Sequence, residues 1–538
     1  MQLLAVLIMV LFFATVIITT RPYEKLTPPP PHPGYEPAPE YWQGVPLSEM
    51  GLELIPYCEP IQVTDGPANK RIPAIAMHQA SLIPDDFAVH VIWSEPTEGA
   101  REIWECYGPV GGGNFSEKRL VTKPDGYRSY NQVAISGEYN IYLGYMDESV
   151  NTREIWFKYG DIKGWSEPEI VSNENIDSRS WGANPIIFCQ YGLVTELPLM
   201  LWFDHRYTKH EIFLKARQTP FPPFLAGEYD ARGHRGWDET IRVTNDDWFQ
   251  FDPHADWSSS FKCCGFEGNA IHLVYMDSRY GKQEDKHEQH EGNGEIFYRT
   301  IKPKGPLYNL ADYFAPVERQ WEIGEEVQLS FTPGLSDLPR VAGKRFPGNS
   351  DLDTAWVVWH ELDVEAGTGI AVCCEVKDGK RGKLHRINPP GTVGVNPEII
   401  TLYIPGFEDL KAMAYQQYGE NEQFPVGKAN IYIRILNGDK ISEPIKISDS
   451  KFTCSYPRMS CPIKLPLKFK IDDAEAAKPL VEEPWDGTPF CTAWDEYRGV
   501  SPDLAGESQI FFRSFYLRKA PQWPPESQTY RKRASGMD

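Results

Sequence analysis

The chain has 538 residues, 41% hydrophobic and 13% aromatic, with 54 Lys plus Arg against 75 Asp plus Glu for a formal net charge of −21. That apolar share builds a core and excludes a wholly disordered chain, and the acidic balance excludes general phosphate-backbone binding, so nucleic acid is not an expected partner. Gly (43) and Pro (46) mark a turn-rich chain of many short strands rather than long helices.

From the N-terminus, Leu3 to Thr20 is an uncharged run dense in Leu, Val, Ile and Phe, followed by Arg21 and Lys25. Eighteen residues just span a bilayer core, and the position also suits a secretory signal, so residues 1–20 read as a transmembrane anchor or a signal peptide. The two basic residues after it would favour a cytoplasmic body. Two charges weigh little, and the expectation is a membrane-anchored or secreted protein whose body lies outside the cytoplasm. Residues 21–50 form a Pro-rich linker, with the run Pro28 to Pro31, and read as a semi-rigid spacer. Residues 51–520 carry a repeat, and residues 521–538 are a tail with Arg531-Lys532-Arg533 near its end. The ten cysteines contain no C-x-x-C pair, which removes a zinc ribbon or a thioredoxin-like site. Given an export segment, some disulfides are expected, with Cys454 and Cys461 the easiest local pair to bridge; scattered buried thiols are the alternative.

The repeat is an apolar strand ending in an aromatic, one spacer residue and an acid or amide. It occurs seven times: Trp93-Ser94-Glu95, Tyr145-Met146-Asp147, Trp202-Phe203-Asp204, Tyr275-Met276-Asp277, Trp359-His360-Glu361, Tyr415-Gln416-Gln417 and Trp494-Asp495-Glu496. A strand led by Glu-Ile follows several copies, as at Glu102-Ile103, Glu154-Ile155, Glu211-Ile212 and Glu295-Ile296, and a further short strand comes after that. Before the aromatic copies lies a strand often opened by proline, as at Pro73, Pro185, Pro253, Pro339 and Pro397. Seven units of four strands predict an all-β, seven-bladed β-propeller. The blades fall at about 72–122, 130–172, 183–244, 251–330, 338–388, 395–448 and 459–515. The last lacks its outer strand, and Glu59 to Thr64 repeats the fourth-strand pattern of Glu167 to Ser172. An N-terminal strand (59–64) is therefore expected to complete the last blade and close the ring.

The pattern is quoted best by Trp202-Phe203-Asp204-His205-Arg206 with Glu211-Ile212-Phe213, and by Tyr275-Met276-Asp277-Ser278-Arg279 with Glu295-Ile296-Phe297. With Trp165-Ser166-Glu167-Pro168 it resembles the repeats of secreted sialidase-like β-propeller proteins. The Asp-box of sialidases, S-x-D-x-G-x-T-W, has no clean copy, and seven units depart from the six blades of catalytic sialidases. The resemblance implies a fold and assigns no catalytic residue.

Candidate binding residues follow from where the loops open. Asp204 with Arg206, and Asp277 with Arg279, end second strands; two residues apart they share a face and can pair with each other or receive a sugar hydroxyl or carboxylate. The recurrence of the acid in nearly every blade favours a turn-fixing role. Three loop entrances break the repeat: Arg128 and Tyr130; Asp177, Arg179 and Trp181; and Asp246, Asp247, Trp248, Asp252 and His254. On adjacent blades these form a crescent of acids, arginines and aromatics suited to carbohydrate; ordinary polar loops with tryptophans packed between blades are the alternative. Asp246, Asp247 and Asp252 are alternatively calcium ligands, and no other cofactor is expected. No G-x-S-x-G or H-E-x-x-H occurs. The functional expectation is a propeller that binds a glycan or protein partner through its loop face without catalysis. The alternatives are a glycoside hydrolase or lyase of sialidase-like fold, and a scaffold subunit of a membrane complex.

Overall fold

The computed structural model describes residues 32–66, 69–79, 87–97, 100–122, 133–137, 141–147, 154–172, 183–191, 196–204, 210–217, 237–245, 248–261, 270–280, 294–305, 320–347, 353–363, 366–404, 406–407, 409–420, 422, 424–462, 487–498 and 507–521. They form seven sheets in a ring, antiparallel except where Arg345–Pro347 joins Gln250–Phe261 in parallel, a seven-bladed β-propeller. The innermost strands are Arg71–Gln79, Val133–Gly137, Ala183–Tyr191, Gln250–Phe261, Leu335–Gly343, Val393–Leu402 and Thr453–Ser460. Each touches the next, and the seventh touches the first, so the ring is closed.

The second strands explain why the sequence folds this way. The seven repeated aromatics Trp93, Tyr145, Trp202, Tyr275, Trp359, Tyr415 and Trp494 are all buried. They sit opposite third-strand residues in register, as Trp202 opposite Phe213 and Tyr415 opposite Tyr432. Those rings stack at 5.9 and 6.1 Å. Strands such as Ile141–Asp147 and Gly487–Tyr497 are buried at every position, as expected of a strand covered on both faces by neighbouring blades.

A second repeat, carried by hydrogen bonds, runs through all seven blades. Each outer strand ends in Val, Leu or Ile followed by Ser, Thr or Asn, and that polar side chain accepts the N–H near the start of the third strand. The acceptors Thr122, Ser172, Thr244, Ser330, Asn388, Ser448 and Thr64 take the N–H of Ile103, Ile155, Ile212, Ile296, Ala371, Ile431 and Ile510 at 2.8–3.2 Å. The seventh acceptor, Thr64, comes from the start of the body. Ile61 and Gln62 pair with Phe512 and Phe511, and Leu52–Pro56 extends the same edge against Phe515 to Lys519. The N-terminal strand thus completes the last blade, as the sequence predicts, and an additional segment upstream lengthens the closure.

Three details depart from the sequence reading. The seventh blade begins at Thr453, ahead of the expected 459, with Pro457 inside its inner strand as in blades 5 and 6. Cys454 and Cys461 are both free thiols. They lie at the two ends of one extended strand, seven residues and about 23 Å apart at the rise of a β-strand, which no disulfide spans. Residues 32–50, read as linker, pack on the outside of the ring: Glu36 pairs with Arg381, Trp42 stacks on His385 at 4.1 Å, and Val45 bridges to Ser442. Among the described residues no helix is long and apolar enough to cross a membrane; Leu3 to Thr20 and the tail from 522 lie outside them.

Candidate functional site at the channel mouth

Among the described residues, six inner strands slip in register to the second strand by a bulge, and in each the bulge is an X-Pro pair: Ile72-Pro73, Asn184-Pro185, Asp252-Pro253, Leu338-Pro339, Asn396-Pro397 and Tyr456-Pro457. Proline has no N–H to give the ladder, so it is tolerated where the ladder is interrupted. In four of them the residue before proline holds a left-handed backbone: Asp252 (φ 45°), Leu338 (48°), Asn396 (50°) and Tyr456 (49°). Such strain, on the order of 1–3 kcal/mol each, collects where a side chain has to be re-aimed. The bulges lie near the start of the inner strands, on the end of the ring where the outer-to-inner loops and the second-to-third-strand loops open.

The residue after each bulge proline differs round the ring. Blades 1 and 3 place Ala74 and Ile186 there, whereas blades 4 to 7 place His254, Arg340, Glu398 and Arg458. The last three meet: Glu398 Oε2 receives Arg340 Nε at 3.4 Å from one side and Arg458 Nη1 at 3.1 Å from the other. His254 Nδ1 accepts the Val341 N–H at 3.2 Å, joining blade 4 to blade 5. On blade 5, Asp337 stands directly opposite His360 in register, and its carboxyl hydrogen-bonds that of Asp252 from blade 4. His360 Nδ1 accepts the Asn396 N–H at 3.1 Å, which leaves the proton on Nε2.

Burial sets the charge states. It raises the Asp337 carboxyl above the usual range, against the lowering pull of the Leu338 N–H, Asp252 and Arg340. Two carboxyls in hydrogen-bond contact share one proton, because both cannot ionise at that distance. Burial, and then Arg340, push His360 down to about 3, so its imidazole is neutral. Burial, and then the like charge of Arg340, press against Arg458, which Glu398 supports. Two guanidiniums therefore stand among carboxyls, Arg340 beside Asp337 and Glu398, and Arg458 beside Glu398 and the buried Asp495.

Of the residues singled out from sequence, Asp252 and His254 belong to this cluster. Asp277 and Arg279 pair, as their spacing predicts: Arg279 gives Nε to Oδ1 at 3.0 Å and Nη2 to Oδ2 at 2.8 Å, while Gln250 donates to the same carboxylate at 3.1 Å. Arg279 also binds Glu326 at 2.6 Å, so this group fixes the blade-4 loops. Asp204 is buried and receives Trp202 Nε1 at 3.4 Å, and Trp248 is half-buried at the entrance to blade 4. Arg128, Tyr130, Asp177, Arg179, Trp181, Arg206, Asp246 and Asp247 lie outside the described residues, and the expected crescent across blades 2 to 4 with them. Among the described residues no group of three His, Cys, Asp or Glu side chains is arranged to hold a metal ion. Asp337, Arg340, His360, Glu398 and Arg458 were missed by reading loops. The signal for Arg340, Glu398 and Arg458 was their place after a strand-internal proline, a position charged or polar in one half of the ring and apolar in the other; Asp337 and His360 carried no such mark.

No protein-family model matches the chain, and no curated protein is similar to it in sequence. Solved structures do align. An α-L-arabinofuranosidase of Fusarium graminearum in complex with arabinobiose is 12% identical over 71% of this chain and 98% of its own, with a TM-score of 0.38. An ulvan-degrading polysaccharide lyase is 10% identical over 70% and 80%, at 0.39. A Trypanosoma rangeli sialidase is 8% identical over 90% and 60%, at 0.32. These similarities are too slight to carry an activity or a residue role to this chain.

Proposed function

We propose that the protein is a carbohydrate-binding propeller whose site is the polar half of its channel mouth, and that the ligand is a neutral, hydroxyl-rich glycan. The observation that carries this reading is the placement of His254, Arg340, Glu398 and Arg458 at one equivalent position on four successive inner strands, beside the Asp252–Asp337 pair. Alternating donors and acceptors suit hydroxyl groups, each of which donates one hydrogen bond and accepts others. A net charge of −21 disfavours an acidic polysaccharide. Binding leads over hydrolysis because a two-carboxylate glycosidase needs its carboxyls about 5–10 Å apart, whereas Asp252 and Asp337 touch.

The test is a printed array of neutral and acidic oligosaccharides probed with the wild-type protein and with Asp252→Asn. Asparagine tolerates the left-handed backbone and can still donate to Asp337, so the fold is kept while one acceptor is lost. Binding confined to neutral glycans and lost in the variant supports the reading. A blank array, acidic glycans alone, or an unaffected variant would refute it.

A further inference from the structure

We propose that the channel mouth faces the bilayer that Leu3 to Thr20 enters, so that the carbohydrate it takes is carried on that same membrane surface. This rests on the carbohydrate reading above and on the apolar N-terminal run serving as an anchor.

His32 is fixed on the ligand-facing end of the ring. Its Nε2 lies 3.1 Å from Glu295 Oε1, at the start of the third strand of blade 4. Its ring meets Tyr280, in the second-to-third-strand loop of that blade, at 4.8 Å, and Phe331, in the loop entering blade 5, at 6.5 Å. Its Nδ1 accepts the Gly34 N–H at 3.0 Å, so Nε2 carries the proton and donates it to Glu295. Glu295 is fully buried and is held in place by Ser330 and by the Thr332 N–H. Glu36 then ties down the next turn through Arg381, and its N–H bonds Phe331 O at 2.9 Å. The exit point is thus locked by polar and aromatic contacts rather than loosely laid on the surface.

Residues 21–31 separate Thr20 from His32, and eleven residues reach at most about 40 Å when fully extended. The ring is about 30 Å deep, the length of its nine-residue inner strands. A tether leaving from the mouth side and no longer than this brings the mouth nearest the membrane. To present the opposite end, the chain would have to run back fully extended along the depth of a blade, using about 30 Å of its reach. The last strand, Ser508–Lys519, runs the other way, so the C-terminal tail leaves from the far end. The channel mouth and the membrane tether therefore share one side. An acidic body also avoids lying flat on an anionic surface, which leaves the neutral headgroup sugars as the compatible ligands.

The experiment uses the full chain in phosphatidylcholine nanodiscs carrying a headgroup-labelled acceptor lipid. A donor fluorophore is introduced as an unnatural amino acid at exposed Glu420, on the mouth side, or at exposed Asp439, in the opposite hairpin. Energy transfer several-fold greater from position 420 than from 439 is expected. Equal or reversed transfer overturns the orientation, and so does failure of the full chain to stay with the nanodisc. In a second arm, nanodiscs containing lactosylceramide are expected to bind their own tethered propeller, while tethered liposomes do not clump with liposomes bearing that lipid. Clumping would show an outward-reaching site and overturn the proposal. The expected transfer ratio together with a blank glycan array would refute the carbohydrate reading and leave the orientation standing, which separates the two failures.

Discussion

Blades 1 and 3 share with blades 4 to 7 the same bulge and the same proline, yet the residue after the proline is Ala74 or Ile186 in the first pair and His254, Arg340, Glu398 or Arg458 in the second group. A shared bulge and proline with different chemistry at the following position separates what the ring needs from what a ligand needs. Repeated features, such as the buried aromatics and the Ser or Thr acceptors, hold blades together wherever they occur. The unrepeated charges sit at a place the repeat has already prepared, on bulges whose strain the surrounding sheet over-determines.

The contrast can be broken most severely in the polar half. Glu398→Ala leaves Arg340 and Arg458 facing each other without their shared partner, and chemical denaturation is expected to show a loss of about 3–5 kcal/mol, the usual consequence of orphaning a buried charge. A loss under 1 kcal/mol would mean that the three side chains do not form one unit. Next comes the second strand of blade 5, where burial raises Glu361 to about 7. Its folded value exceeds the unfolded one, so the folded state binds the extra proton between about pH 4.5 and 7, and stability is lost as pH rises through that window. Glu361→Gln keeps an acceptor for Trp359 Nε1, now at 3.2 Å, without the charge. It should be more stable than wild type by roughly 1–3 kcal/mol at pH 8, with the advantage gone by pH 5. An advantage that persists at pH 5 would reject ionisation as the cause.

The smallest effects test what the two halves share. Thr64→Val and Ser172→Ala each remove the acceptor of one buried third-strand N–H, and each is expected to cost about 1–2 kcal/mol. If Thr64→Val is silent while Ser172→Ala is costly, the N-terminal strand does not close the seventh blade in solution.

The ring was legible in the sequence because its signals are local and repeated. An aromatic such as Trp202 must be buried at the same step of every blade, and Glu59 to Thr64 copies an outer strand closely enough to be matched to a blade hundreds of residues away. The site was legible only in part. Asp252 and His254 stood out as a polar cluster entering blade 4. Arg340, Glu398 and Arg458 lie about 60 residues apart within strands that look like architecture, and only ring geometry brings them together. His360 occupied the spacer position of a repeat copy and so read as filler. The belt of residues 32–50 was read as spacer because its prolines describe local stiffness, while its anchoring contacts, His32 to Glu295 and Glu36 to Arg381, come from the far side of the sequence.

The most direct test of the central claim is a crystal structure with the neutral oligosaccharide that gives the strongest array signal. The account predicts sugar hydroxyls within hydrogen-bond distance of Asp252, Arg340 or Arg458 at the mouth of blades 4 to 7. Sugar bound instead at the rim of blades 1 to 3, or away from the channel altogether, would contradict it.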